Sequence, residues 1–119
     1  MLLTFGDETL HRLCCRLRQG DAASKRHAPD LRRLMTEIAG AETLAVLDSL
    51  PHVDLVVERE LVCVCCPPIE VLLAVDGGAP IKGKAAAAKV AVWSAKSAHV
   101  AAVSIAGEDF NPEGAKWPQ

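Results

Sequence analysis

The first half of the chain carries a strand pattern followed by helical patterns. Apolar residues at positions 2–5 predict a short strand, and Asp7 is placed to cap the helix that follows. The apolar residues of that helix recur at helical spacing, namely Leu10, Leu13, Cys14 and Leu17. A second helix is predicted to begin near Pro29 and Asp30, because proline suits a first helical turn and an acidic side chain suits its positive end. Its buried stripe is Leu31, Leu34, Met35 and Ile38.

Gly40 and Pro51 delimit a third helical pattern. The glycine ends or bends the second helix, residues 41–50 continue with leucines at helical spacing, and the proline stops them. After Pro51 the pattern changes to the strand type, which predicts strands at 53–57, 61–66, 69–75 and 100–105. Pro67 and Pro68 separate the second and third of these strands, where a turn needs no ladder donor. Residues 76–80 are a turn or loop signal, and residues 81–99 give no clear pattern.

The order of these patterns predicts an α+β fold. Short turns between successive strands make the sheet antiparallel, with four or five strands. Two or three N-terminal helices pack on one face of it. Residues 1–111 are predicted to form a single domain, and residues 112–119 a frayed C-terminal tail. Strand 100–105, rich in alanine and valine, is expected to present an open edge, which would suit a homodimer.

Charge and aromatic content restrict the partners. The 119 residues carry a formal net charge of −2, with two Phe, two Trp and no Tyr. The chain therefore lacks both the basic field and the stacking rings that favour binding to nucleic acid. Basic residues nevertheless gather in the first third of the chain, where they form either a solvated helix face or a phosphate-binding patch. They include Arg12, Arg16, Arg32 and Arg33.

Hydropathy and cysteine content bear on compartment and cofactor. No segment approaches the about 20 apolar residues of a membrane helix, and the short N-terminal apolar run has no basic flank, unlike a signal peptide. Five cysteines, an odd number, predict free thiols in the cytoplasm. Cys63 and Cys65 point to one face of a strand and Cys66 to the other, which is too few ligands for zinc. Neither a metal nor a cofactor is expected.

A series of segments carries a resemblance to a known family. PDLRRLMTEI at 29–38 is followed by AETL at 41–44 and by Leu50–Pro51. The hairpin of VCV at 62–64 and VLL at 71–73 comes next, and DGG at 76–78, WS at 93–94 and EDFN at 108–111 close the series. In this order the segments resemble the RelE/ParE toxin superfamily, in particular its HigB-like branch of plasmid-maintenance killers. The resemblance covers roughly residues 2–111 and depends on the order of segments, with no single specific motif.

The resemblance implies a RelE-like fold and a metal-independent mRNA endoribonuclease, neutralised by an antitoxin. In that family, basic and proton-transferring side chains help the RNA 2′-hydroxyl attack the neighbouring phosphate. By position, it implies catalytic roles for Glu70, Asp109, Asn111 and His52, and RNA-binding roles for Arg12, Arg16, Arg32, Arg33 and Arg59.

Three site elements depart from the family pattern. Glu70 stands where relatives often carry arginine, and a carboxylate repels phosphate. Phe110 and Asn111 stand where many relatives carry tyrosine and histidine. Phenylalanine lacks the hydroxyl, and asparagine does not shuttle a proton. The basic loop before the hairpin is also reduced, to Glu58, Arg59 and Glu60. Catalysis in the family manner is therefore weakened at three site elements together, namely the strand position, the terminal residues and this loop.

Each candidate residue also has a structural interpretation. Glu70 alternates outward on a strand with one wet face, His52 is a solvated or capping histidine, and Asp109 forms a turn. Three hypotheses stay open. The first is a toxin-type endoribonuclease that acts on RNA at the ribosome, or a catalytically weakened descendant. The second is a non-catalytic module, from a mobile element or phage, that binds an antitoxin or other regulatory protein. The third is a mobile-element protein with other chemistry on this scaffold.

Overall fold

The computed structural model describes residues 1–15, 22–58, 61–75, 95–112 and 114–117. Its elements are β1 (Leu2–Phe5), α1 (Glu8–Cys15), α2 (Ala22–Gly40), α3 (Leu44–Asp48), β2 (Asp54–Glu58), β3 (Leu61–Cys66), β4 (Ile69–Ala74), β5 (Ser97–Ile105) and β6 (Glu108–Phe110). The predicted loop at 76–80, Leu17 and residues 81–94 lie outside the described residues.

The first helix, α1, starts where its capping residue predicts. Asp7 Oδ1 accepts a hydrogen bond from the backbone N–H of Leu10 at 3.1 Å, and the Asp7 carbonyl accepts one from the N–H of His11 at 3.0 Å. The carboxylate thus satisfies one of the N–H groups that a helix start leaves without a partner. The predicted cap is confirmed, and Leu10 and Cys14 are buried on the inner side of the helix.

The second helix, α2, is longer than predicted. It begins at Ala22, so Pro29 lies inside the helix and the predicted start near Pro29 was wrong. Proline removes one N–H donor, but residues 22–28 include alanine, lysine and arginine, which are good helix formers. The predicted stripe is confirmed, because Leu31, Leu34, Met35 and Ile38 are buried. Within the described residues, no helix is long and apolar enough to cross a membrane.

The third helix, α3, is a separate short element rather than a continuous helix over 41–50. Thr43 has an extended backbone (φ −141°, ψ 168°), which breaks the helical path. Its hydroxyl oxygen accepts a hydrogen bond from the N–H of Val46 at 3.4 Å and so caps the new helix. Leu44 and Leu47 are fully buried, and they join this element to the core.

Within the part of the chain that the structure describes, the sheet is mixed and has six strands. Their order is β1-β5-β4-β3-β2, and β6 also pairs with β5. β1 runs parallel to β5, and the other described pairs are antiparallel. The prediction of a purely antiparallel sheet with four or five strands was therefore wrong. β1 and β5 are far apart in sequence, which allows the crossover that a parallel pair needs. β6 follows β5 through a two-residue turn in which Ala106 and Gly107 have φ of 52° and 87°.

The strand predicted to be an open edge lies inside the sheet. On one side of β5, residues 97–100 pair with β1 and residues 103–105 with β6, while β4 occupies the other side. The prediction of an open edge at 100–105, on which the expected homodimer depended, was therefore wrong. Among the strands that the structure describes, β2 forms one edge of the sheet, and β1 and β6 form the other.

The two faces of the sheet are covered differently. The first face packs against the helices through Val62, Val64, Ile69, Val71, Leu73, Val100, Val103 and Ile105. The second face carries a smaller buried cluster of Leu72, Ala101 and Ala102, against which Leu61, Ala115 and Trp117 pack. Ala115 and Trp117 belong to the segment predicted to be frayed. That prediction was wrong, because their apolar side chains pack on the second face.

Candidate functional site

A charged cluster lies on the helical side of the domain. His52 Nε2 is 2.7 Å from Glu37 Oε2, and Arg33 Nε is 3.4 Å from Glu37 Oε1. Arg33 and Glu37 meet because they are four residues apart on α2. His52 reaches them from the turn between α3 and β2, which is held by a hydrogen bond from the N–H of Val53 to the carbonyl of Leu50 at 3.3 Å.

The Arg33–Glu37–His52 cluster borders a surface depression of about 340 Å³. Its lining residues are Asp30, Arg33, Leu34, Glu37, His52, Cys66 and Pro67. In such a cluster the carboxylate orients the imidazole, the imidazole can accept a proton, and the neighbouring guanidinium can hold an anion. The Arg33 side chain is 75% exposed, so its ion pair with Glu37 stabilises the fold by at most about 1 kcal/mol.

The structure divides the predicted catalytic residues between the two faces of the sheet. His52 contacts Glu37 on the helical side. Glu70 is exposed on the second face, because Ile69 and Val71 on either side of it point into the helical core. Asp109 lies on the second face as well, since its neighbour Phe110 packs against that core. The predicted residues do not meet around one reaction centre.

Asp109 and Asn111 hold the C-terminal segment in place. The Asn111 side chain accepts a hydrogen bond from the N–H of Ala115 at 3.0 Å and donates one to the Ala115 carbonyl at 2.6 Å. Asp109 Oδ2 accepts a hydrogen bond from Trp117 Nε1 at 3.3 Å. Both side chains therefore have structural partners that sequence reasoning did not find.

Three of the five predicted RNA-binding arginines lie within the described residues, and two of these three pair with a carboxylate on their own helix. Arg12 pairs with Glu8 on the same helix at 2.9 Å, and both side chains are exposed. Arg33 pairs with Glu37, and Arg32 is exposed on α2. Arg16 and Arg59 lie outside the described residues.

An acidic row crosses the second face. Asp54, Cys65, Glu70, Ser104 and Asp109 stand directly opposite one another on β2, β3, β4, β5 and β6. The three carboxylates are exposed. One intervening strand separates each from the next, which is about 10 Å at ordinary strand spacing. Period-two alternation predicts the face of each residue, but the register that aligns them comes only from strand pairing.

Two thiols lie close together on the second face, Cys65 within this row and Cys63 beside it. Cys63 Sγ and Cys65 Sγ are 3.4 Å apart, as their predicted shared face requires. Burial raises the pKa of the Cys63 thiol far above its ordinary value of 9.0, and the hydrogen bond with Cys65 raises it further. Burial also raises the pKa of Cys65; the hydrogen bond with Cys63 lowers it, and repulsion from Glu70 and Asp54 adds to the increase. Both thiols stay protonated at neutral pH.

The described residues contain no group of three or more His, Cys, Asp or Glu side chains arranged to hold a metal ion. Comparison with known proteins gives no assignment either. No family model matches the chain, and no match is found among curated proteins or solved structures. Function must therefore be inferred from the geometry of the described residues.

Proposed function

We propose that this chain is a protein-binding component of the toxin–antitoxin kind, built on a RelE-like scaffold, in which catalysis has been weakened or lost. The order of elements supports the scaffold, since a strand and three helices come first and the chain leaves α3 through Leu50–Pro51. The strands that follow, from β2 to β6, pair antiparallel in succession. The separation of His52 from Glu70 and Asp109 supports the loss of catalysis. Its partner is a regulatory protein of the antitoxin type.

The observation that carries the proposal is the edge of the sheet at β2. All five residues of β2 pair with β3, and no described strand covers the other side. An uncovered strand edge offers N–H and C=O groups to which an extended segment of another protein can add. Val56 is 39% exposed at the centre of this edge, which provides an apolar contact.

Charge indicates which segment fits the β2 edge. Asp54 and Glu58 are exposed at its two ends, and Glu70 continues the acidic row towards the middle of the sheet. A segment rich in lysine and arginine would therefore be attracted, and an acidic one repelled. We assign the β2 edge to an extended basic segment of the partner protein.

A short synthetic peptide of alternating lysine and valine tests this assignment. We expect it to bind and to slow amide hydrogen exchange at residues 54–58. The double substitution Asp54→Lys and Glu58→Lys should weaken binding about tenfold or more, because it replaces attraction with repulsion at both ends of the edge. Fluorescence anisotropy of the labelled peptide gives the dissociation constants.

The matched control is Glu42→Lys with Asp48→Lys. It makes the same change in net charge at exposed positions on the helical side. We expect it to leave peptide affinity within about twofold of the unmodified protein, since distant exposed charges are screened. Equal weakening by both double variants, or equal binding of a glutamate–valine peptide, would contradict the β2 assignment.

A second candidate function, RNA cleavage, is favoured by the Arg33–Glu37–His52 cluster. His52 would take the proton of an RNA 2′-hydroxyl while Glu37 holds the imidazole and Arg33 faces the phosphate. The 2′-oxygen would then bond to phosphorus as the bond from phosphorus to the 5′-oxygen breaks, and the 5′-oxygen takes a proton from solvent. The products are a 2′,3′-cyclic phosphate and a free 5′-hydroxyl. This chemistry does not use Glu70 or Asp109.

Cleavage is measured on a short single-stranded RNA and on translating ribosomes, in the presence of a chelator. If this cluster is the active site, His52→Ala should lower the rate about 100-fold or more, as expected for loss of a general base. Asp109→Asn on the opposite face is the control and should leave the rate unchanged. An uncleaved substrate in both assays would exclude this second function and leave the binding proposal intact.

A further inference from the structure

The Cys63–Cys65 pair has the geometry of a two-thiol binding site. The two residues are two positions apart on β3, so both side chains leave the same face. Their sulfurs are 3.4 Å apart and are not joined by a disulfide. Cys63 is 5% exposed and Cys65 is half-buried, so Cys65 provides the approach from solvent. Cys63 is flanked by Val56 and Leu72, and Cys65 by Asp54 and Glu70.

The sulfur–sulfur distance selects the shape of the centre that could join them. With bonds to sulfur of about 2.3 Å, a linear centre needs sulfurs about 4.6 Å apart and a tetrahedral centre about 3.8 Å. A pyramidal centre with bond angles near 90° needs only about 3.3 Å at the same bond length. The observed 3.4 Å is closest to the pyramidal case, so little strand movement is required.

The neighbouring charges select among thiophilic centres. Two thiolates around a monovalent cation leave one negative charge, next to the carboxylates of Asp54 and Glu70, which would disfavour it. A centre that leaves the site neutral avoids this cost. The raised pKa values of both thiols point the same way, since the protein environment disfavours isolated thiolates.

We propose that Cys63 and Cys65 form a binding site for trivalent organoarsenicals, or for a metalloid of the same pyramidal, neutral chemistry. The reaction is R–As=O + 2 R′SH → R–As(SR′)2 + H2O. Two arsenic–sulfur bonds form, the two thiol protons leave with the oxygen as water, and arsenic remains trivalent. No oxidant or reductant is needed, and the site carries no added charge. This site is separate from the β2-edge proposal and does not depend on it.

Phenylarsine oxide is the probe. We expect one equivalent to bind the reduced, folded protein, with the mass change of one phenylarsenic group gained and two protons lost. Ser substitution of Cys63 or Cys65 should weaken binding about 100-fold or more, because the second bond is then no longer intramolecular. Competition with 2,3-dimercaptopropanol gives the affinities, and native mass spectrometry gives the stoichiometry.

Cys66→Ser is the matched control, since Cys66 is adjacent in sequence but packs against the helical core on the first face. We expect it to keep full affinity. Undiminished binding in Cys65→Ser, or loss of binding in Cys66→Ser with the fold intact by circular dichroism, would overturn the proposal. Loss of phenylarsine oxide binding in Cys14→Ser would also overturn it. If Cys63→Ser fails to fold, the more exposed Cys65→Ser variant still decides the outcome.

Discussion

Trp117→Ala should lower the free energy of unfolding by about 2 kcal/mol, roughly half the cost of removing a fully buried tryptophan. The indole packs on the second face beside Leu72, Ala101 and Ala102, which are almost fully buried. Its loss exposes this apolar layer and removes the hydrogen bond to Asp109. Urea denaturation of the two proteins measures the difference, and the slope should change little.

Trp117→Phe separates the two contributions. Phenylalanine retains much of the apolar contact area but has no N–H to donate to Asp109. We expect it to cost about 0.5–1 kcal/mol, the ordinary value of a single exposed or half-buried hydrogen bond and a small change in area. If both variants, Trp117→Ala and Trp117→Phe, were as stable as the unmodified protein, the C-terminal segment would not be part of the folded domain.

The helices and the central hairpin follow from sequence because their signals are local. Asp7 satisfies a helix N–H three residues away, and the buried stripe of α2 repeats with the helical period. The β3–β4 hairpin has Pro67 and Pro68 in its turn, and its strands occupy almost the predicted residues. Pro29 was misleading, because its local preference for a first turn does not prevent an interior position when the flanking residues favour helix.

The arrangement of strands could not be predicted in the same way. β1 lies beside β5 in parallel although about 90 residues separate them, and no local pattern encodes that pairing. Ala106 gave no turn signal, since alanine rarely adopts positive φ, and so β6 was missed. The strand β1, whose pairing was not predicted, and the missed strand β6 lie on the same side of β5. This is why the expected edge for a homodimer does not exist.

The candidate site was partly predictable. Arg33 and His52 were candidates from sequence, whereas Glu37, which joins them, was missed even though its spacing from Arg33 is a visible signal. The contact between Glu37 and His52 depends on how α3 turns the chain, which sequence spacing does not encode. For Glu70, outward alternation is confirmed by its exposure on the second face. In the sheet, Glu70 stands opposite Cys65 on β3 and Ser104 on β5, and it is part of the acidic row.

Burial of the Cys63 thiol predicts a loss of stability at alkaline pH. In the unfolded chain Cys63 titrates near its ordinary pKa of 9.0, whereas burial raises the pKa of the folded thiol well above this. Between these two values the unfolded state has released a proton that the folded state still holds, so unfolding becomes more favourable as pH rises. Full stability is expected below about pH 9, with a decline of up to about 1.4 kcal/mol per pH unit per thiol above it.

Cys63→Val tests this decline, because valine has similar volume, suits a strand and has no proton to lose. Urea denaturation from pH 8 to pH 10.5 should show a shallower loss in the variant than in the unmodified protein, and Cys63→Val with Cys65→Val should be shallower still. The chain has no tyrosine, so thiolate absorbance can be followed in the same samples without tyrosinate interference. Parallel stability curves for all three proteins would show that these thiols are not held protonated by the fold, which would also remove the electrostatic reason for expecting a neutral ligand between them.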